Sequence, residues 1–282
     1  MSANLQPKAP AIKEWLSDAT RQLAAVGITS AKLDSEIILA HTLRKSRTYL
    51  HAHDDEPIDS RQLEIADTRL LLRLDRTPIA YIIGHKEFYG RLFRVTPSTL
   101  IPRPESEDII TLIKESLPQA SLLQETKKLV DVGTGSGCLG ISAKLEMPEL
   151  EVTLLDISKH ALNVAEQNAK QLRANVTVVH SDLLANFPFT ADYIIANLPY
   201  VDPEWERSPE TSFEPELALF TNNNGLHLIF KLLQQATSRL TQTGLLLLEA
   251  DPRQHAAIIK QAKTHGFLLK ETRGFIVCFQ QA

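Results

Sequence analysis

From residue 105 onward, strand-like and helix-like stretches alternate, and this alternation restricts the fold more than any other feature of the chain. A helical pattern over 105–117 leads to the apolar strand KLVDV, the loop GTGSG and a helix from Cys138 to Glu146. Strand EVTLLD, a helix over 159–172 and strand NVTVV follow. Next come strand DYIIAN, a long loop, a helix over 225–239, strand GLLLLEA and a helix over 252–264. Nearly continuous apolar strands joined through helices require a parallel sheet covered on both faces. The closing strands, GFLLKE and GFIVCFQ, are separated only by Thr272-Arg273-Gly274, too short for a crossover, so they predict an antiparallel hairpin at the sheet edge. The fold class predicted is α/β: a doubly wound, mostly parallel seven-stranded sheet with an antiparallel edge hairpin, preceded by a small helical domain.

The helical domain is read over 1–76. Ile12, Trp15, Leu16, Ala19 and Leu23 follow helical spacing, with Gly27 as the stop. Leu33, Ile37, Ile38 and His41 predict a second helix, and Leu63, Ala66, Leu70 and Leu74 a third. Over 77–104 the segments KEFYG and RLFRV alternate as a hairpin would. Pro97, Pro102 and Pro104 then prevent regular structure, so this stretch reads as a hairpin linker ending in a stiff loop. The α/β domain is read over 105–282.

Composition excludes several classes. Of 282 residues, 43% are apolar and 23% charged, which is globular. A net charge of −4 gives no general nucleic-acid signature. Cys138 and Cys278 both sit in apolar runs, a pattern that suits a reducing cytosol better than a disulfide framework. The stretch MSANLQPKAPAIKEW carries no leader-like apolar run, and no run approaches the ~20 residues of a membrane span. The expectation is a cytoplasmic chain. His51 and His53 lack further ligands at metal spacing and read as a solvated loop; no metal is expected. No Ser/His/Asp or Cys/His arrangement points to a hydrolase.

The stretch LVDVGTGSGCLG passes directly from strand to helix. Gly133, Gly135 and Gly137 let backbone approach a ligand closely, and the helix start presents free N–H groups. Asp131 at the strand end is expected to add a carboxylate to that crevice, which suits an ammonium or sulfonium ligand and serves a pyrophosphate badly. Asp156 closes the next strand, where an acid accepts hydrogen bonds from ribose hydroxyls. Asp182, followed by Leu183, reaches an adenine amino group or caps the next turn. Gly135 to Gly140 also match the dinucleotide pattern G-x-G-x-x-G, but Asp131 and the two residues preceding that pattern favour a methyl donor.

Strand DYIIAN ends in Asn197-Leu198-Pro199-Tyr200, on the side of the sheet where such folds bind ligands. The Asn197 carboxamide oxygen and the Leu198 carbonyl are two acceptors for the two N–H bonds of an amino group. Pro199 holds Leu198 extended, and Tyr200 offers a ring for stacking on a planar substrate. Arg103, between two prolines, is read either as a substrate contact or as half of a salt bridge.

These residues resemble the protein-(glutamine-N5) methyltransferases that modify peptide chain release factors. The likeness is carried by YIIGHKEFYGRLFRV, LIPRPESE, DVGTGSGCLGI and FEPELAL. It implies a Rossmann-like methyltransferase sheet, an N-terminal substrate-docking domain and the donor S-adenosyl-L-methionine. The substrate it implies is the glutamine of the Gly-Gly-Gln loop in class I release factors, with translation termination as the setting. Asp131, Gly133, Thr134, Gly135, Ser136, Gly137, Asp156, Asp182, Leu183 and Asn197 would hold the donor. Asn197, Leu198, Pro199 and Tyr200 would be catalytic and, with Arg103, hold the substrate. The family's tetrapeptide is Asn-Pro-Pro-Tyr, whereas Leu198 stands second here. Asn-Leu-Pro-Tyr also occurs in adenine N6-methyltransferases of nucleic acid, which is the alternative reading beside a ribosomal-protein glutamine methyltransferase. The glycine-rich stretch expected after EPELAL is Phe-Thr-Asn-Asn-Asn-Gly here. No direct nucleic-acid partner and no membrane are expected; the sequence leaves the oligomeric state open, with a monomer favoured.

Overall fold

A computed structural model describes residues 9–117, 126–202 and 204–282. Of the stretch read above for a leader, residues 1–8 lie outside the described residues. Contacts divide the chain into two compact units, Met1–Gly84 and His85–Ala282. The α5 helix described below therefore falls in the first unit, and the hairpin read as linker falls in the second.

The first unit holds α1 (Ile12–Ala25), α2 (Ala31–Leu43), α3 (Arg47–Ala52), α4 (Ser60–Leu74) and α5 (Ile79–Ile83). Ile12, Trp15, Ala19 and Leu23 of α1 are buried with Ile38, Leu39, Leu50, Ala66 and Leu70. The buried face of α2 differs from the apolar spacing. Leu33 is exposed, while Asp34 and Glu36 are buried. Ion pairs make this tolerable: Arg73 Nε donates to Asp34 at 2.7 Å, and Arg47 donates to Glu36 at 2.7 Å. The short helices α3 and α5 were not read from the sequence. His51 lies in α3, with Nε2 3.2 Å from Glu36, and His53 is its C-cap, stacked on Tyr49, rather than in a solvated loop.

The second unit opens with an antiparallel hairpin, β1 (His85–Phe88) and β2 (Arg91–Arg94), followed by α6 (Glu107–Ser116). Next come β3 (Lys128–Val132), α7 (Cys138–Glu146), β4 (Glu151–Asp156), α8 (Lys159–Leu172), β5 (Thr177–His180) and β6 (Ala191–Ala196). The chain ends with α9 (Glu216–Leu219), α10 (His227–Ala236), β7 (Leu240–Glu249), α11 (Pro252–Thr264), β8 (Phe267–Arg273) and β9 (Ile276–Gln281). The seven-stranded sheet has order β5-β4-β3-β6-β7-β9-β8. All pairings through β7 are parallel, and β9 and β8 add antiparallel. No helix among the described residues is long and apolar enough to cross a membrane.

Alternation along the strands sorts side chains onto two cores. Val130, Val132, Ile194, Ala196, Leu246 and Leu248 pack on one face. Leu129, Tyr193, Ile195, Leu245 and Leu247 pack on the other. Burial on both faces explains why these strands read as unbroken apolar runs. Register then positions the chemistry. Val132 lies opposite Leu155 on one side and Ala196 on the other. The next residues, Gly133, Asp156 and Asn197, therefore leave the sheet side by side, where β4 and β6 diverge from β3.

Gly140 lets α7 pack close to the sheet: a Cβ there would lie 2.3 Å from Leu154 Cδ2 and 3.1 Å from Asp131 Cβ. Gly140→Ala should destabilise the second unit by about 1–3 kcal/mol through overpacking. Denaturant unfolding monitored by circular dichroism measures this.

Candidate active site

The loop after β3 is held from behind by its own strand and its neighbour. Gly133 N–H and Thr134 N–H both donate to the Leu155 carbonyl, at 2.8 and 2.9 Å. Gly133, Gly135 and Gly137 have φ of 72°, 55° and 82°, the left-handed region that glycine enters most readily. A Cβ at Gly133 would stand 2.9 Å from Leu198 Cδ2, so the glycine loop and the tetrapeptide touch.

Asp131 occupies a different place from the one expected. It is buried behind the loop and is not part of the cavity wall. Its Oδ2 accepts from Thr134 Oγ1 at 2.6 Å and from Gly140 N–H at 2.9 Å, bracing the loop against α7. Burial pushes its pKa up to about 6, against the pull of those two donors. Its Oδ1 is buried with no hydrogen-bond partner.

The remaining donor-side residues line one cavity of about 200 Å³. Gly133, Thr134, Gly135, Ser136, Asp156, Asp182, Leu183, Asn197, Leu198 and Pro199 all face it. Gly137 lies just behind, against Ile141 and Ala165. Asp156 accepts Gly135 N–H at 2.9 Å and Ser158 N–H at 2.8 Å, and its burial raises the carboxyl pKa. Asp182 pairs with Lys231 at 2.6 Å. Ile157, half exposed, lines the same wall. Cys138 also lines it, its thiol pushed up to about 12 by burial and hence unreactive at neutral pH.

A second lobe of about 160 Å³ shares Leu100, Arg103, Asn197, Leu198 and Ala218 with the first. Tyr200, Val201, Arg207, Thr211, Leu219 and Glu249 complete it. Asn197 and Leu198 therefore stand at the junction of two spaces. Asn197 Nδ2 donates to Ser106 Oγ at 3.1 Å, and Ser106 Oγ donates to Glu249 Oε2 at 2.5 Å. Tyr200 Oη donates to the other Glu249 oxygen at 3.1 Å. The ends of the tetrapeptide are thus tied to one buried carboxylate. No group among the described residues donates to Asn197 Oδ1 or to the Leu198 carbonyl.

Arg103 forms a salt bridge, donating to Glu214 at 2.5 Å, and also lines both lobes. The other Glu214 oxygen accepts Ile101 N–H at 3.1 Å, so the FEPELAL segment clamps the proline loop. Behind Tyr200, Asn223, Asn224 and Gly225 have φ of 59°, 51° and 79°. Asparagine tolerates this region, so the run in place of the glycine-rich stretch still turns left-handed. Gln254 Nε2 donates to the Tyr200 and Asn224 carbonyls, both at 2.8 Å. On the far side, Asn168 donates to the Ser136 carbonyl at 2.8 Å and the Arg94 carbonyl at 3.0 Å, while accepting Arg94 N–H at 2.7 Å. It ties the hairpin to the glycine loop. Ser106, Glu214, Glu249 and Asn168 were missed in the sequence; the one available signal was a charge, Glu249, closing the all-apolar run GLLLL.

The donor cavity suits a cationic nucleoside better than a pyrophosphate. Asp156 and Asp182 present carboxylates, Lys231 is engaged by Asp182, and the orphaned Asp131 Oδ1 lies behind the loop.

Comparison with known proteins agrees. Residues 14–84 match the family model described as PrmC N-terminal domain, and residues 111–209 match Methyltransferase small domain. The chain is 34% identical to the release factor glutamine methyltransferase of Koribacter versatilis, over 86% of this chain and 88% of that protein. It is 34% identical to that of Salmonella typhimurium, covering 92% and 93%. A bifunctional methyltransferase of Rickettsia conorii is 32% identical over 91% of this chain, which spans only 54% of that longer protein. A methyltransferase structure from Pyrococcus furiosus shares the fold, with a TM-score of 0.51 at 18% identity, covering 76% of this chain and 94% of that one.

Glu214→Ala should free the loop at 101–103 without unfolding the unit. Losing a charged hydrogen-bond acceptor of about 1.5–3 kcal/mol should speed exchange of the Ile101 amide by on the order of 10- to 100-fold. Hydrogen-exchange mass spectrometry of that peptide reads it.

Proposed function

This chain belongs to the family of release factor glutamine methyltransferases, and we propose that it transfers a methyl group from S-adenosyl-L-methionine to the side-chain amide nitrogen of the Gly-Gly-Gln glutamine in class I release factors. The observation that carries this reading is the pair of unengaged acceptors, Asn197 Oδ1 and the Leu198 carbonyl, at the junction of two lobes.

When bound, S-adenosyl-L-methionine supplies an electrophilic methyl carbon on a positively charged sulfur. The residues that would hold it are Gly133 to Gly137, Asp156, Asp182, Leu183 and Asn197. Asp156 would accept from ribose hydroxyls with the lone pairs its two backbone donors leave. Asp131 acts from behind, by fixing the loop.

An amide nitrogen is a poor nucleophile because its lone pair is delocalised into the carbonyl. Asn197 Oδ1 and the Leu198 carbonyl each accept one of its N–H bonds and turn the lone pair out of conjugation. The same two oxygens stabilise the positive charge that develops on nitrogen. Holding the amide at this junction removes much of the entropic barrier. Deprotonation needs no strong base, since the alkylated nitrogen is acidic and its proton leaves to solvent. Leu198 supplies the same carbonyl a proline would, and Pro199 keeps it extended. Tyr200, anchored through its hydroxyl, and Arg103, held by Glu214, wall the acceptor lobe. The N-terminal helical unit would serve as the docking domain for the release factor.

Asn197→Ala should lower turnover by on the order of 100-fold or more, the size of losing one preorganised charge-stabilising group. Donor affinity measured by calorimetry should fall far less than turnover. Asp156→Ala should chiefly weaken donor affinity, by about 10-fold or more. Labelled methyl donor offered with a release factor or with RNA decides the substrate class: label on RNA and none on the release factor overturns the proposal.

A further inference from the structure

We propose that Glu249, acting through Ser106, dictates which end of the Asn197 carboxamide faces the acceptor lobe, making Glu249 and Ser106 positioning residues that select an NH2-bearing acceptor. The inference rests on the reading of Asn197 given above.

The argument follows the protons. A serine hydroxyl has one proton to donate and lone pairs to accept with. Ser106 spends its proton on Glu249 Oε2 at 2.5 Å, so it can only accept from Asn197. The Asn197 group 3.1 Å away must therefore be its NH2, which leaves Oδ1 for the acceptor. Tyr200 donates to the other Glu249 oxygen, so the carboxylate receives two donors and offers none. Reversed, the chain would present NH2 to the incoming amine, and donor would meet donor.

Glu249 is buried, at 1% exposure, at the end of β7. Burial raises its pKa and Glu105 raises it further, while Ser106, Tyr200 and Arg103 lower it. Cys138 on α7 also senses its charge. Above that pKa the carboxylate accepts from Ser106. Once protonated, it becomes a donor to Ser106, whose own proton then turns to Asn197. Orientation, and with it turnover, should fail on the acid side, at a pH above the ordinary carboxylate range. Glu249→Gln keeps shape but accepts from only one of Ser106 and Tyr200 while donating to the other, so the direction is no longer imposed. Ser106→Ala cuts the chain with a minimal change of volume.

The test uses the full chain labelled with 15N at asparagine, with neither donor nor acceptor present. The Asn197 side-chain signal, assigned by its loss in Asn197→Ala, should shift with an inflection as pH is lowered in wild type. It should stay flat in Glu249→Gln and in Ser106→Ala; if the former does not fold, the latter alone decides. With saturating donor, each variant should lose turnover on the order of 10- to 100-fold, as misplaced reacting groups do, with donor affinity falling far less. The double variant should be no worse than either single one, because both cut one chain. A signal indifferent to pH in wild type, one still titrating in the variants, or multiplicative losses in the double variant would overturn the inference. A wild-type chain that shows the inflection but leaves the release-factor glutamine unlabelled would refute the proposed function and leave the positioning role standing.

Discussion

Everything at this site depends on the parallel register of β3 with β4 and β6. Pairing Val132 with both Leu155 and Ala196 delivers a glycine turn, a carboxylate and a carboxamide to one crevice. That register is itself enforced by burial. A slip of one residue would exchange the two faces and force each core's side chains into the other. Function at the strand ends is therefore insured by packing in the strand centres.

The polar groups behind the crevice show a consistent division of labour. Asp131 braces the glycine loop, Asn168 ties it to the hairpin, Glu214 clamps the proline loop, and Glu249 anchors both ends of the tetrapeptide. None of these four forms the reacting surface alone. Each satisfies backbone or hydroxyl donors that would otherwise be stranded in an apolar interior, where an unmade bond costs about 1–3 kcal/mol. The price of burying Asp131 and Glu249 as charges shows in their raised pKa values.

Much of the sheet was legible because its strands and helices have local signatures. The bounds read for α7, β4, α8 and α11 coincide with the structure, and the helical pattern over 105–117 resolves into Pro104–Ser106, a 3-10 turn, followed by α6. The short helices α3 and α5 carry too few turns to show a period, and α2 turned a face that its apolar spacing did not mark, because ion pairs made acids buriable. At the site, the glycine loop and the tetrapeptide announced themselves through residue types rare in strands. Asp131 turns behind the loop, a direction set by the Thr134 hydroxyl and the Gly140 N–H that no strand pattern marks. Ser106 and Glu249 stand far apart in the chain and meet only through the fold, so no spacing rule could pair them.

The two lobes share some walls and differ in others. Both are walled by the loop before α6 and the segment running into α9; the donor side adds the turns after β3 and β4, and the acceptor side adds Tyr200, Val201, Arg207, Thr211, Leu219 and Glu249. The side chains that line only the acceptor lobe can be exchanged without touching a glycine. Such a partial division lets the identity of the recipient drift at positions such as Arg207 and Thr211 while the alkylating half of the enzyme is inherited intact, and it makes those positions the natural place to redesign which group is modified.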